Sequence, residues 1–400
     1  MFLTQNRINR LSLFFSVVIV LSSCSYSDEL DFFVFDPSQD YPEFPLSLSD
    51  VAEISYIKLG GEEDGVFIPT LKSSGIFVDS LHDRIFASHF NIGVLEFDIH
   101  GMFLRRIGRL GRGPGEYMNV YFYVQPEEER VGVYDPVKEK FLIYTYDGTF
   151  LEDEGISASL FPGFLTFLLQ DGYLIDYNPS SVIYYERDGR TIVMSERTLS
   201  LFPLDGMRDK VIEDIHYEKP RVLPLDWGED YYKLMMPGHL IPSRSGIILS
   251  TYRSDTTYVI GNDFNRRPFL VNKRHNGVQE GCLYPSGETN DYLFLCYQNN
   301  LLEGQNRLYF FAIDKKSGQA YKVTEDVSSP LPGPLQGRIQ PDDDGLTKNP
   351  EYRFFEFSPQ ELKENCYDYL PPDLKALVDQ CDENSNPILM LIKFKDVTHN

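Results

Sequence analysis

Basic residues are scarce in this chain: 37 lysines and arginines stand against 60 aspartates and glutamates, for a net charge of −23. That balance excludes generic nucleic-acid binding, which needs a basic footprint. Tryptophan is nearly absent, at one residue, and cysteine is rare, at five. No pair of cysteines forms C-x-x-C, so zinc ribbons and thioredoxin-type redox motifs are excluded. The seven histidines include no H-x-x-x-H or H-E-x-x-H, and no G-x-S-x-G elbow occurs. "PDDDG", ending Asp342 to Gly345, lacks the spacing and the distant glutamate of an EF-hand and reads as a solvated acidic loop. Local spacing therefore offers no catalytic residue, no metal ligand and no cofactor motif.

The N-terminus is more specific. Arg7 and Arg10 precede an apolar run, Leu11 to Val20, and "LSSC" closes it at Leu21 to Cys24. A basic start, a short apolar run and small residues before a cut form a secretory signal. The run is too short for a bilayer, which takes roughly 20 apolar residues. Leu-Ser-Ser-Cys resembles the lipobox of bacterial lipoproteins, a likeness that implies cleavage after residue 23 and a lipid anchor on Cys24. Removing residues 1–23 takes away two arginines and no acid, moving the charge from −23 to −25. Ser25 in second position resembles an outer-membrane sorting signal, and Asp28 with Glu29 resembles the acidic tags of surface lipoproteins. The sequence thus points to export and an outer-membrane anchor, on the periplasmic or the cell-surface face. Residues 24–50 are expected to be a lipidated tether. Cys282, Cys296, Cys366 and Cys381 remain, and Cys296 in "YLFLCYQ" reads as a small apolar core residue.

Aromatic residues are plentiful, with 26 tyrosines and 29 phenylalanines. Such residues favour pleated, half-buried surfaces, so the chain leans towards β structure. Three segments answer each other: Arg84 to Leu104, Arg130 to Leu151 and Tyr173 to Val193. Leu95, Phe97, Gly101 and Phe103 match Leu142, Tyr144, Gly148 and Phe150 at an offset of 47 residues. Asp135, Tyr144, Asp147 and Gly148 match Asp176, Tyr185, Asp188 and Gly189 at an offset of 41. Each glycine follows a polar residue, the mark of a hairpin turn with positive φ. A repeated meander of this period is a propeller blade.

Weaker copies lie at Gly246 to Ile260 and at Asp291 to Val323. Unpaired strands at both ends, Val51 to Leu59 and Asn386 to Lys395, are expected to build a last blade together and close the ring. The expectation is an all-β, six-bladed β-propeller of four-stranded antiparallel blades over residues 51–400. Its insertions would fall around residues 194–245 and 325–385. In the second insertion Ser358, Pro359 and Glu361 form a capping box, and Pro371 to Cys381 is a second short helix.

One stretch, "RRIGRLGRGPGEYMNV" from Arg105 to Val120, concentrates glycine and arginine. It has no lysine and hydroxyl for a P-loop, and Pro114 removes an amide that a dinucleotide would need. Its position between two meanders makes it a blade-to-blade connection. "GRGPGEY" after "FLRRIG" resembles the six-bladed β-propeller lipoproteins of Gram-negative bacteria, which are similar to NHL-type repeats. That likeness implies the fold and placement outside the cytoplasm, and transfers no catalytic residue.

Propellers gather loops at the ends of one channel, which suits recognition of a peptide, a glycan or an outer-membrane protein. Arg109, Arg112, Glu116 and Tyr117 are the candidate binding residues, the arginines offering charge to an acidic glycan or carboxylate. The alternative is a lyase or hydrolase with a metal or paired carboxylates in the channel, whose ligands would come from different blades. His89 is expected to be a solvated turn histidine.

Overall fold

The computed structural model describes residues 32–395 apart from 70, 72–74, 136, 156–167, 171–172, 179–181, 188–189, 196–197, 204–222, 225–238, 251–254, 262–264, 274–280, 300–306 and 324–348. Two strands and a helical turn come first: β1 (Phe33–Phe35), α1 (Leu48–Val51) and β2 (Ala52–Lys58). The first blade is β3 (Ile76–Asp79), β4 (Arg84–His89), β5 (Gly93–Asp98) and β6 (Phe103–Ile107), paired in that order. The second is β7 (Tyr121–Gln125), β8 (Arg130–Asp135), β9 (Lys140–Thr145) and β10 (Phe150–Gly155). Every neighbouring pair in both blades is antiparallel. The offset of 47 residues is structural: Gly101 and Gly148 sit in the same turn of successive blades with φ of 88° and 84°. A side chain is strained in that left-handed region.

The third expected meander does not form. β12 (Tyr173–Asn178) pairs with β11 (Leu168–Gln170) and with β15 (Thr198–Pro203), while β13 (Val182–Arg187) pairs with β14 (Arg190–Ser195). The pairings Tyr173↔Pro203 and Val182↔Ser195 lie almost in one register, so the β13–β14 pair nests inside the β12–β15 pair. β14 also pairs with β16 (Leu223–Pro224). A nested pairing satisfies the same backbone groups as a meander. Pro179, which has no N–H to give to a ladder, separates β12 from β13 in sequence.

Blade three is β17 (His239–Ser243), β18 (Gly246–Ser250), β19 (Thr256–Ile260) and β20 (Arg266–Asn272), with β1 added in parallel at its outer edge. Blade four is β21 (Gly281–Glu288), β22 (Tyr292–Asn299), β23 (Arg307–Asp314) and β24 (Ala320–Val323). Blade five joins both ends of the chain: β25 (Tyr352–Phe357) pairs with β26 (Ile388–Phe394), which pairs along its whole length with β2. The propeller therefore has five blades, not six. β17 and β25 fall inside segments expected to be insertions, and the aromatic run "YRFFEF" of β25 was their clearest trace.

Between β25 and β26 lie α2 (Pro359–Asn365) and α3 (Pro372–Asp379). Ser358 caps α2 by accepting from the Glu361 N–H, as the capping box requires. α3 buries Leu374 and Val378. Cys296, Cys366 and Cys381 are buried, and burial pushes the Cys381 thiol up. Each apolar core joins two blades. Phe294 and Ala312 meet Met390 and Ile392, Leu389 meets Ile76 and Ile85, Phe86 meets Phe122 and Tyr144, and Ile248 meets Leu283 and Leu295. Burying each such side chain stabilises by about 1.5–3 kcal/mol, so blades three, four, five, one and two are held in that sequence.

The segment after β1 is not a loose tether. Phe35 is fully buried and packs on Tyr41 and Phe311. Phe44 packs edge-on against Tyr292 and Phe294, and its N–H bonds the Lys322 carbonyl at 2.9 Å. Residues 33–46 are thus a strap laid along the outer edges of blades three and four.

Candidate binding surface

In every blade the chain reverses at two ends. The β4–β5 turn, the connection from β6 to β7 and the β8–β9 turn share one end; the β3–β4 and β7–β8 turns share the other. The connection, residues 108–120, is closed on itself. The Gly111 N–H bonds the Tyr117 carbonyl at 2.9 Å, and the Tyr117 N–H bonds the Arg109 carbonyl at 3.1 Å. The Glu116 carboxylate accepts from the Gly113 N–H at 2.7 Å and pairs with Arg109 Nε at 2.5 Å. A Cβ on Gly111 would stand 2.1 Å from that carboxylate, so the glycine makes room for it. The Gly113 N–H, and after it the Arg109 guanidinium, hold the Glu116 carboxyl below the usual carboxylate range against the opposing effect of burial.

Tyr117 anchors this loop. It is fully buried, donates from its hydroxyl to the Ile107 carbonyl at 2.7 Å and accepts from the Val94 N–H at 3.0 Å. Burial pushes its phenol up to about 12. From the second blade, the Tyr144 hydroxyl donates to the Gly115 carbonyl at 3.0 Å. Lys138 Nζ donates to the Glu116 carbonyl at 2.6 Å, and Asp135 accepts from the Met118 N–H at 2.6 Å. Of the four candidate residues, Tyr117 and Glu116 are occupied in holding the loop. The Arg109 side chain is 78% exposed, and Arg112 is exposed. Cys24 lies outside the described residues.

Three apolar side chains that local motifs did not reveal stand out at this end. They are Phe90 in the β4–β5 turn, Met118 in the connection and Val137 in the β8–β9 turn, exposed at 56%, 38% and 60%. Val137 alone has a sequence signal, a single large apolar residue in a polar turn; Phe90 shares its turn with Ile92, and Met118 its connection with Leu110 and Val120. His89 beside Phe90 is buried, not solvated: it ends the second strand of its blade, and burial depresses its imidazole. The Asn91 N–H donates to its Nδ1 at 3.3 Å. Arg105 does not point to a ligand either, because with Arg84 it flanks the buried Glu96, at 3.1 and 3.2 Å. Burial raises the Glu96 carboxyl, and Arg105 and Arg84 work against that rise.

The other end also exposes Leu81 and Met102, at 64% and 60%, and its blades are tied by polar contacts. Glu288 is buried, accepting from Ser243 Oγ at 2.5 Å, the Arg244 N–H at 2.9 Å and Lys315 Nζ at 2.5 Å. Arg244 also donates to Asn290 at 2.7 Å, so blades three and four are tied together. Asn349 donates to the Val78 carbonyl, linking blade five to blade one. Asp79 accepts from His82 Nδ1 at 2.8 Å and the Tyr146 hydroxyl at 2.7 Å, linking blade one to blade two. A cavity of about 20 Å³ lies among Pro242, Glu288, Asn349 and Arg353. That space suits a water molecule and is far below the size of a metabolite pocket. Among the described residues, no three His, Cys, Asp or Glu side chains gather closely enough to hold a metal.

A family model for a domain of unknown function, DUF4934, matches residues 32–393. The chain belongs to the DUF4934 family. That match replaces the likeness to NHL-type repeats as the family assignment. No curated protein matches this DUF4934 chain. Among solved structures, a Bacteroides fragilis protein provisionally described as exported is similar at 18% identity and a TM-score of 0.56. The likeness covers 91% of this chain and all of that one, and it shows a shared fold. A DUF4221 family member from Bacteroides vulgatus is similar at 10% identity and a TM-score of 0.48, over 86% of this chain and 98% of that one.

Proposed function

We propose that this DUF4934 protein is an exported, lipid-anchored propeller that acts by binding a peptide, a glycan or an envelope protein. The observation that carries the reading is a fixed frame with exposed contents. Buried Tyr117 and Asp135 and half-buried Lys138 hold the turns of one end, and those turns carry Phe90, Met118 and Val137 as well as Arg109 and Arg112. Rigid loops bearing apolar and cationic side chains lose little entropy on binding. Export is supported by the signal-like segment ending at Cys24 and agrees with the description of the Bacteroides fragilis neighbour. Cys24 is the proposed lipid attachment point, with the outer membrane as its destination.

The test pairs a ligand screen with one triple variant. Acidic and neutral oligosaccharides and peptides are screened for a rise in melting temperature, and hits are retested on Phe90→Ser/Met118→Ser/Val137→Ser. Exposed substitutions leave folding nearly unchanged, so a loss of affinity of about tenfold or more at unchanged stability supports the reading. A ligand whose affinity is untouched places binding elsewhere and overturns it.

A further inference from the structure

The strap determines where the chain leaves the folded body. β1 runs parallel to β20 with Phe33 opposite Leu270 and Phe35 opposite Asn272. Phe32, the first described residue, therefore lies on the Arg266 side of the pairing. That is the end of the β17–β18 turn, because Ile260 pairs with both Arg266 and Ile247. The exit is firmly held: Phe33 packs on Phe269, the Lys273 N–H bonds the Phe35 carbonyl at 2.7 Å, and Lys273 pairs with Asp36 at 3.2 Å. Arg266 and Arg267, both exposed, start β20 beside this exit.

From Cys24 to Phe32 is eight residue steps, which span at most about 29 Å even when fully extended. We infer that the membrane surface is the partner of the blade-three edge, at the end where β20 begins. The inference rests on the proposed lipid anchor at Cys24. A leash this short keeps Phe32 near the headgroups. Arg266, which lies over the Tyr258 ring, and Arg267 stand at that membrane-side end of β20, where cationic side chains are favoured near lipid phosphates. The turns carrying Phe90, Met118, Val137 and Arg112 belong to blades one and two and to the opposite end of the strands, so they project away from the bilayer. The membrane-side and ligand-side surfaces are separate.

Energy transfer tests this orientation on the full lipidated chain, purified from membranes and placed in vesicles of phosphatidylethanolamine and phosphatidylglycerol. A donor dye is attached through a non-canonical residue at position 267 or at position 112, and the acceptor is a headgroup-labelled lipid. Transfer should be at least about twofold higher from position 267, since the leash holds only that edge near the surface. Equal transfer, or more from position 112, overturns the inference. Inserting about 16 Gly and Ser residues after Ser27 should shrink the difference; an unchanged difference also overturns the leash argument. Sedimentation with membranes is scored alongside, against Cys24→Ala. A wild-type chain that never sediments removes the anchor and this inference with it, whereas sedimentation with equal transfer removes the orientation alone.

Discussion

The junction between blades one and two and the junction between blades three and four are closed by different chemistry. The first is centred on phenols, the Tyr117 and Tyr144 hydroxyls bonded to backbone in an apolar interior, with Asp79, Asp135 and Lys138 adding contacts to a hydroxyl or to backbone. The second uses charge: Glu288 shared among Ser243, Arg244 and Lys315. Both fix one blade against the next, and both draw on separate segments: Val94, Ile107 to Tyr117 and Tyr144 in one, Ser243 with Arg244, Glu288 and Lys315 in the other. The contrast shows that a blade interface needs its buried polar groups satisfied and does not prescribe which groups do it.

The largest effect should come from breaking the charged clamp. Glu288→Ala leaves Lys315, whose side chain is 21% exposed, without its carboxylate. A loss of about 3 kcal/mol in urea unfolding is expected, because a partly buried charge loses its partner. A loss below about 1 kcal/mol would show that water replaces the carboxylate and that the clamp is not structural.

Tyr117→Phe should cost less, about 2 kcal/mol, by orphaning the buried Val94 N–H and Ile107 carbonyl. This deficit should depend on pH. The folded phenol ionises near 12 and the unfolded one near 10. Its contribution is fully present below pH 10 and is lost as pH rises towards 12, by about 2–3 kcal/mol. The gap between wild type and Tyr117→Phe should therefore close over that window, and a constant gap would contradict the buried phenol.

The smallest effect belongs to Arg109→Ala. Its pair with Glu116 is exposed on the arginine side and screened by salt. The melting temperature should stay unchanged within error at high and low salt. A clear drop would make the arginine part of the clamp.

Much of this was legible before the fold. The turn glycines Gly101 and Gly148, the closing strands β2 and β26 and the cap at Ser358 are written in short windows. Each depends on interactions between residues a few positions apart or on a strand's own hydrophobic pattern. The reading of residues 173–193 failed because the same alternation fits a meander or a nested pairing, and only partner choice separates them. β25 was missed because its partner lies beyond two helices. Phe90, Met118 and Val137 were missed because an apolar residue in a turn looks the same in sequence whether it is buried or exposed.

By itself the sequence determined the all-β meander, the offset of its first two blades, the role of "GRGPGEY" as a connection and the signal-like start. These are local properties, decided by backbone φ, side-chain alternation and charge along a few residues. Tertiary structure alone decided the number of blades, the strap over blades three and four, the Glu288 clamp and which apolar turn residues stand exposed. Those depend on which distant surfaces meet, and burial is settled only when they do.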